Sequence, residues 1–303
     1  MNLTLRRYEW ILVAFFFYIA FLAVVWWRPA GIAAAFVGLS LVIGIARIDN
    51  VTGRPWSRVL RDWMSPSYVL AAYWSLAPLA RGQEARLFDA HWVQWDRVLL
   101  NELGLRQVLE SAGSVLPASL ELIYLLLYGL PTALIGWFYW QRRRDRLESF
   151  LEVLFASALL TYALIPLMPS APPHLEFPGV DLPHYFSALR RLNLWLQNRA
   201  DITTGVFPSG HVTVGIACLL GFKRAMPDQT RFLRGLHFYA ALLMLATIYG
   251  RYHYAVDVFA AVGVACVASL LTYRLADWQP AAMPVPTHTL GERLPATHEV
   301  IGS

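Results

Sequence analysis

Of the 303 residues, 57% are hydrophobic and only 15% are charged, whereas a soluble domain carries about a quarter charged residues. That deficit, with a mean hydropathy of +0.45, excludes an ordinary water-soluble fold and makes lipid the expected solvent. The net charge of +5 requires no nucleic acid, because cytoplasmic loops of membrane proteins collect Lys and Arg.

A helix needs about 20 apolar residues to cross the hydrocarbon core. In chain order, the expected spans are 9–27, 30–46, 63–80, 118–140, 148–168, 209–223, 235–250 and 253–275. The third and sixth are shorter or broken by polar residues. The first run is as long as a full span and lacks a small-residue cleavage site, so it reads as a retained helix rather than a signal peptide. Pro29 and Gly31 mark the turn between the first two spans. Residues 86–112 and 186–199 mix Trp and Leu with charges, the composition of helices lying along an interface. The Pro- and Thr-rich stretch from about 277 onward is expected to be disordered. Cys218 and Cys266 both sit in apolar runs; two such residues make no disulfide framework and read as small buried hydrophobes.

The expectation is an all-α, polytopic membrane bundle of about eight transmembrane helices. Residues 1–62 hold two N-terminal spans, 63–275 the functional unit and 276–303 a polar cytoplasmic tail. With both termini on one side, that side receives 16 of the 25 Lys and Arg residues and the opposite side 9. The positive-inside rule makes the richer side cytoplasmic. The cluster Arg142, Arg143, Arg144 and Arg146 is then a topology determinant, with a lipid-headgroup site as the lesser alternative.

Two features carry chemistry, and this topology opens both from the non-cytoplasmic face. Phe207-Pro208-Ser209-Gly210-His211 begins the sixth span. With Pro208 in the first turn, the amides of Ser209, Gly210 and His211 are expected among the unpaired donors of a helix start, which suits an anion. His211 is placed to give or take a proton beside a bound phosphate. His253 and Asp257 begin the eighth span, four residues apart on one helical face. A carboxylate so placed orients an imidazole as a nucleophile or base. Each feature has a plainer reading: an ordinary helix cap, a structural hydrogen bond, or half of a metal site. Zinc would want three or four ligands, and only His174 and His184 lie nearby, so no metal is assigned. Ionisable groups within spans point to function by default, and together the two features favour phosphate chemistry. Glu121, Tyr124 and Tyr128 share a face at i, i+3, i+7, either as a polar stripe inside the bundle or as a pocket contacting an acceptor. His91, His174, His184 and His237 have no visible partner and read as interfacial.

Pro208-Ser209-Gly210-His211 and His253-x-x-x-Asp257 resemble the second and third signature motifs of the type 2 phosphatidic acid phosphatase superfamily. The likeness is closest to its inositolphosphotransferase branch, which contains inositol phosphorylceramide synthases. Trp95-Asp96, Glu121-x-x-Tyr124-x-x-x-Tyr128-x-x-Pro131 and Met168-Pro169-Ser170-Ala171-Pro172-Pro173 support that branch. The resemblance covers residues 87–275. It implies that His253 forms a phosphohistidine, Asp257 orients it and His211 protonates the leaving group, with no metal or organic cofactor. A membrane lipid in the bilayer is the implied substrate and partner. Ser209, Gly210 and Arg251 are the candidate phosphate ligands.

The departures from the family pattern concern cations. The first motif, with its Lys and Arg-Pro, is replaced by Met168–Pro173. Thr247 stands six residues before His253, where Arg is usual, and Arg251 stands two before it. Arg190 and Arg191 are alternative clamps, and an amphipathic interfacial face explains them equally well. A diester carries less charge than a monoester and needs fewer cations. The branch resemblance implies transfer of a phosphorylated headgroup, and the topology puts it at the non-cytoplasmic face of the plasma (inner) membrane. Hydrolysis of a lipid phosphate or polyprenyl diphosphate is the alternative. A non-catalytic transporter or scaffold is the rival from another class.

Overall fold

The structure is a computed structural model that describes residues 3–277 except 82–85, 112 and 203. The expected tail from 278 lies outside the described residues. Among the described residues, regular structure is helical apart from one isolated parallel bridge between Ser170 and Gly205.

The N-terminal helices α1 (Arg7–Val25) and α2 (Pro29–Thr52) form a hairpin in which Pro29 opens α2, a position where its missing N–H is not needed. Short helices α3 (Pro55–Trp63) and α4 (Ser65–Trp74) follow. Next come α5 (Asp89–Arg97), a π-turn at Val98–Glu102, and α6 (Leu105–Glu110). Helices α7 (Val115–Leu126) and α8 (Leu130–Trp140) form one rod, interrupted at Leu127–Gly129. Pro131, lacking an amide proton, cannot bond to the Leu127 carbonyl there. The remaining helices are α9 (Leu147–Leu164), α10 (Pro173–Glu176), α11 (Ala188–Ala200), α12 (Gly210–Ala225), α13 (Thr230–Tyr249) and α14 (Ala255–Asp277).

Six of these segments are long and apolar enough to cross a membrane: α1, α2, the α7–α8 rod, Arg144–Leu164, α13 and Ala255–Arg274. The other two expected spans fall on α4, with 10 residues, and α12, with 16. At about 1.5 Å per residue these are roughly 15 and 24 Å long, short of the hydrocarbon thickness of about 30 Å.

Helix α9 is the hub, with α1, α12 and α14 packed around it. Gly221 makes the α9–α12 approach possible, since a Cβ there would lie 2.9 Å from the Phe150 carbonyl oxygen. Deeper along the seam, the Thr161 and Thr213 hydroxyls meet at 2.9 Å. The Tyr18 hydroxyl donates to the Ala163 carbonyl at 2.7 Å, tying α1 to α9. Cys218 is buried as expected, but Cys266 is exposed on α14.

Charges collect at the end of the bundle that holds the start of α1. Arg61 pairs with Glu9 and with Asp49 (3.1 Å). Asp62 accepts from Arg6, from Arg144 Nε (2.6 Å) and from the Tyr139 hydroxyl (2.6 Å). This network joins α1, α2, α3 and the α8–α9 turn. The starts of α12 and α14 lie at the opposite end.

Candidate active site

The start of α12 follows from its sequence. Ser209 is the N-cap, and its hydroxyl accepts from the Val212 amide at 3.3 Å. The expectation that Ser209 offers a free amide is corrected: that N–H donates to the Asp257 carbonyl at 3.1 Å. Pro208 precedes the helix rather than sitting in its first turn. The amides of Gly210 and His211 therefore remain at the open helix end. The Ser209–Asp257 bond also joins the two motifs directly.

His253 lies in the turn before α14, not on the helix, so the shared helical face is corrected as well. Contact is made because Asp257 reaches back. As the third residue of α14 it accepts the Tyr254 amide at 2.9 Å, half of a capping box, and the same oxygen lies 3.4 Å from His253 Nδ1. Nδ1 is also 2.9 Å from the Val206 carbonyl. A carbonyl only accepts, so Nδ1 carries the proton and Nε2 keeps its lone pair. Burial, then the nearby His211, pushes the His253 imidazole well towards its neutral form.

The His211 and His253 rings meet edge to face with centroids 5.8 Å apart. Tyr124 stacks on His211 at 4.8 Å, and the Tyr128 hydroxyl lies 3.2 Å from His211 Nε2. Both imidazoles line a cavity of about 160 Å³ with Gly210, Tyr73, Tyr128, Tyr162, Gln197 and Asp201. Its remaining walls are mostly apolar, including Val69 and Leu70 of α4 and Leu127 and Pro131 of the α7–α8 break. Leu70 and Tyr128 are 48% and 42% exposed, so the cavity opens sideways between α4 and the α7–α8 rod.

The candidate cations lie behind this cavity rather than in its lining. Arg251 is fully buried in left-handed backbone (φ 59°) and pairs with Asp96. That conformation is uncommon for a residue with a side chain. Asp96 also accepts the Ala255 amide at 2.9 Å, so it fixes the first turn of α14. The guanidinium Nε and Nη2 of Arg251 have no partner among the described residues. Arg190 is held by Glu121 (2.9 Å) and the Gly250 carbonyl (3.1 Å). Glu121 also accepts from Asn193 Nδ2 (2.7 Å) and the Tyr252 hydroxyl. The structure thus places Tyr124 and Tyr128 in the cavity but Glu121 in the wall behind it.

His174 belongs to this neighbourhood, against the expectation of an interfacial residue. Its Nδ1 and its amide both bond to the Arg251 carbonyl, at 3.1 and 3.2 Å. Burial pushes its imidazole down to about 4, against the opposing pull of that carbonyl. Met168–Pro173 is pinned by Asp89, which accepts from Ser170 Oγ (2.6 Å) and the Ala171 amide (3.0 Å). Asp201, Gln197 and the Tyr73 and Tyr162 rings were not singled out from sequence. Nothing in their local pattern distinguishes them from a helix end and its packing.

An all-helical bundle with six helices of membrane-spanning character, which brings two histidine motifs to one largely apolar cavity, has the make-up of a membrane enzyme. The PAP2 superfamily profile matches residues 94–271, and the chain belongs to that superfamily: it is a phosphatase or phosphotransferase. Searches of curated proteins and of solved structures gave no match.

Proposed function

We propose that the protein transfers a phosphorylated lipid headgroup through a phosphohistidine on Nε2 of His253. The observation that carries this reading is the fixed Nδ1–H of His253, which leaves Nε2 as a lone pair beside His211 in an apolar cavity. Nε2 attacks phosphorus as the ester bond to the leaving oxygen breaks, and His211 supplies that oxygen with a proton. The imidazolium formed on phosphorylation is stabilised by the Asp257 carboxylate. The amides of Gly210 and His211 receive the phosphoryl oxygens at the positive end of α12. An alcohol then takes the phosphoryl group, in keeping with the motifs' likeness to the inositolphosphotransferase branch. The apolar lining and lateral opening suit a lipid substrate.

The site faces the non-cytoplasmic side in this reading. The arginine-rich network around Arg61, Arg6 and Arg144 is at the opposite end of the bundle, where the positive-inside rule expects the cytoplasm.

The test combines two experiments. Radiolabelled phosphate from a phosphoinositol lipid should be trapped on the protein in acid-labile form, and lost in His253→Ala with normal membrane insertion. The same lipid is then incubated with and without ceramide or diacylglycerol. Labelled product should form only with the alcohol present. Free phosphate from phosphatidate as the sole product sinks the transferase reading. A reporter fused after Ser303 should be cytoplasmic.

A further inference from the structure

Helix α11 lies against α7 through one polar face. Arg190 bonds to Glu121, Asn193 to Glu121 and Gln197 to the Tyr124 hydroxyl (2.7 Å). The next position on that stripe is Asp201, the C-cap of α11, whose amide donates to the Gln197 carbonyl at 2.9 Å. The three preceding side chains have partners on α7; for the Asp201 carboxylate no hydrogen bond or ion pair is recorded among the described residues. Its side chain instead faces the cavity that holds His211 and His253.

An ionisable group in a largely apolar cavity costs free energy unless a partner arrives. Burial raises this carboxyl to about 7, the behaviour of groups at functional sites. A carboxylate repels a phosphoryl group, so the donor's phosphate is not its ligand. A hydroxyl, which donates one hydrogen bond and carries no charge, is complementary to it. The neighbouring Tyr73 hydroxyl already accepts from the Ile202 amide (3.1 Å) and keeps its own proton to give. The polar corner around Asp201 therefore offers both an acceptor and a donor to an alcohol.

We propose that Asp201 binds the acceptor hydroxyl, of an alcohol or of water, that discharges the phosphohistidine. This rests on the phosphohistidine reading above. As the acceptor oxygen bonds to phosphorus, the bond from phosphorus to His253 Nε2 breaks and its electron pair returns to the imidazole. The acceptor's proton passes along its hydrogen bond to the Asp201 carboxylate and from there to solvent.

The experiment separates the two half-reactions in the full chain, using Asp201→Asn and Asp201→Ala in vesicles. The donors are phosphate-labelled phosphatidylinositol and phosphatidate, with water alone or with diacylglycerol. Phosphohistidine should form within about twofold of the wild-type rate, and discharge should slow by about 10²-fold, a general-base contribution. Labelled enzyme should therefore accumulate in both variants. Discharge at the wild-type rate overturns the proposal. So does loss of phosphoenzyme formation in the isosteric Asn variant, or an altered preference between the two donors, which would mean that Asp201 reads the donor headgroup. A wild type that forms no phosphohistidine refutes the earlier reading instead, before any variant is compared.

Discussion

The His253 Nδ1 atom lies 2.9 Å from the Val206 carbonyl oxygen, closer than the 3.4 Å that separates it from the Asp257 carboxylate. The N–H bonds to the Val206 carbonyl, with Asp257 a nearby charge, so the tautomer survives the loss of the carboxylate. Asp257→Asn removes the charge that stabilises the phosphorylated imidazolium but leaves the Val206 carbonyl in place. The expected loss in phosphoenzyme formation is therefore about 10²-fold, below the ~10⁴-fold seen where the carboxylate alone sets the tautomer. Rapid-quench labelling measures it, and an unchanged rate removes Asp257 from the chemistry.

Asp96 is the buried partner of Arg251 and the acceptor for the Ala255 amide. Asp96→Ala strands the guanidinium, and breaking a buried pair from one side costs about 3–5 kcal/mol. Asp96→Asn keeps an oxygen for Ala255 and should lose less. Unfolding followed in detergent should rank wild type above Asn above Ala. Activity per folded molecule should fall in the same order, because the start of α14 carries Asp257. Adding Arg251→Met to Asp96→Ala should recover part of the stability, since no stranded charge remains.

The helices were legible where apolar length alone decides, as in α1, α2, α9 and α14. The two segments that proved short, α4 and α12, lie beside the cavity. There, α4 stops at Trp74 although hydropathy runs on to about residue 80, whereas the short run 209–223 already anticipated the length of α12. The His211 and His253 motifs were legible because Pro-Ser-Gly before His and Asp after it are local patterns. The roles of Asp96 and His174 were not, because they come from contacts across 155 and 77 positions with partners that no periodicity signals, and Asp201 stands out only through the cavity it lines. Arg251 looked like a phosphate ligand two residues from His253. It stands in left-handed backbone and pairs with Asp96, an arrangement that only tertiary structure reveals.

The N-terminal hairpin lies outside the matched region 94–271, yet α1 packs on α9 within that region, and Glu9 of α1 forms a buried pair with Arg61 of α3. Glu9→Ala should destabilise the protein by about 3–5 kcal/mol while leaving kcat of the folded fraction unchanged, because the network is at the end opposite His253. Thermal inactivation and initial rates on the same preparation separate the two effects. A fall in kcat at full folding would show that the hairpin reaches the site.

Asp201 also sets a pH dependence. Burial holds its carboxyl at about 7. The titratable groups that face the cavity with it are Tyr73 of α4, Tyr124 of α7, Tyr128 at the α7–α8 break, Tyr162 of α9, His211 of α12, and Tyr252 and His253 before α14. The tyrosines stay protonated in this range, and burial pushes the imidazoles of His211 (down to about 4) and His253 well below it, which leaves Asp201 to titrate. Accepting the acceptor's proton requires the ionised carboxylate, so discharge should rise as pH increases from about 6 to about 8. In Asp201→Asn that rise should disappear from discharge, while the pH profile of phosphoenzyme formation, which needs His211 as an acid, should be unchanged. Single-turnover decay of labelled enzyme across this range is the measurement. If the rise persists in the Asn variant, another group titrates and the acceptor's proton does not go to Asp201.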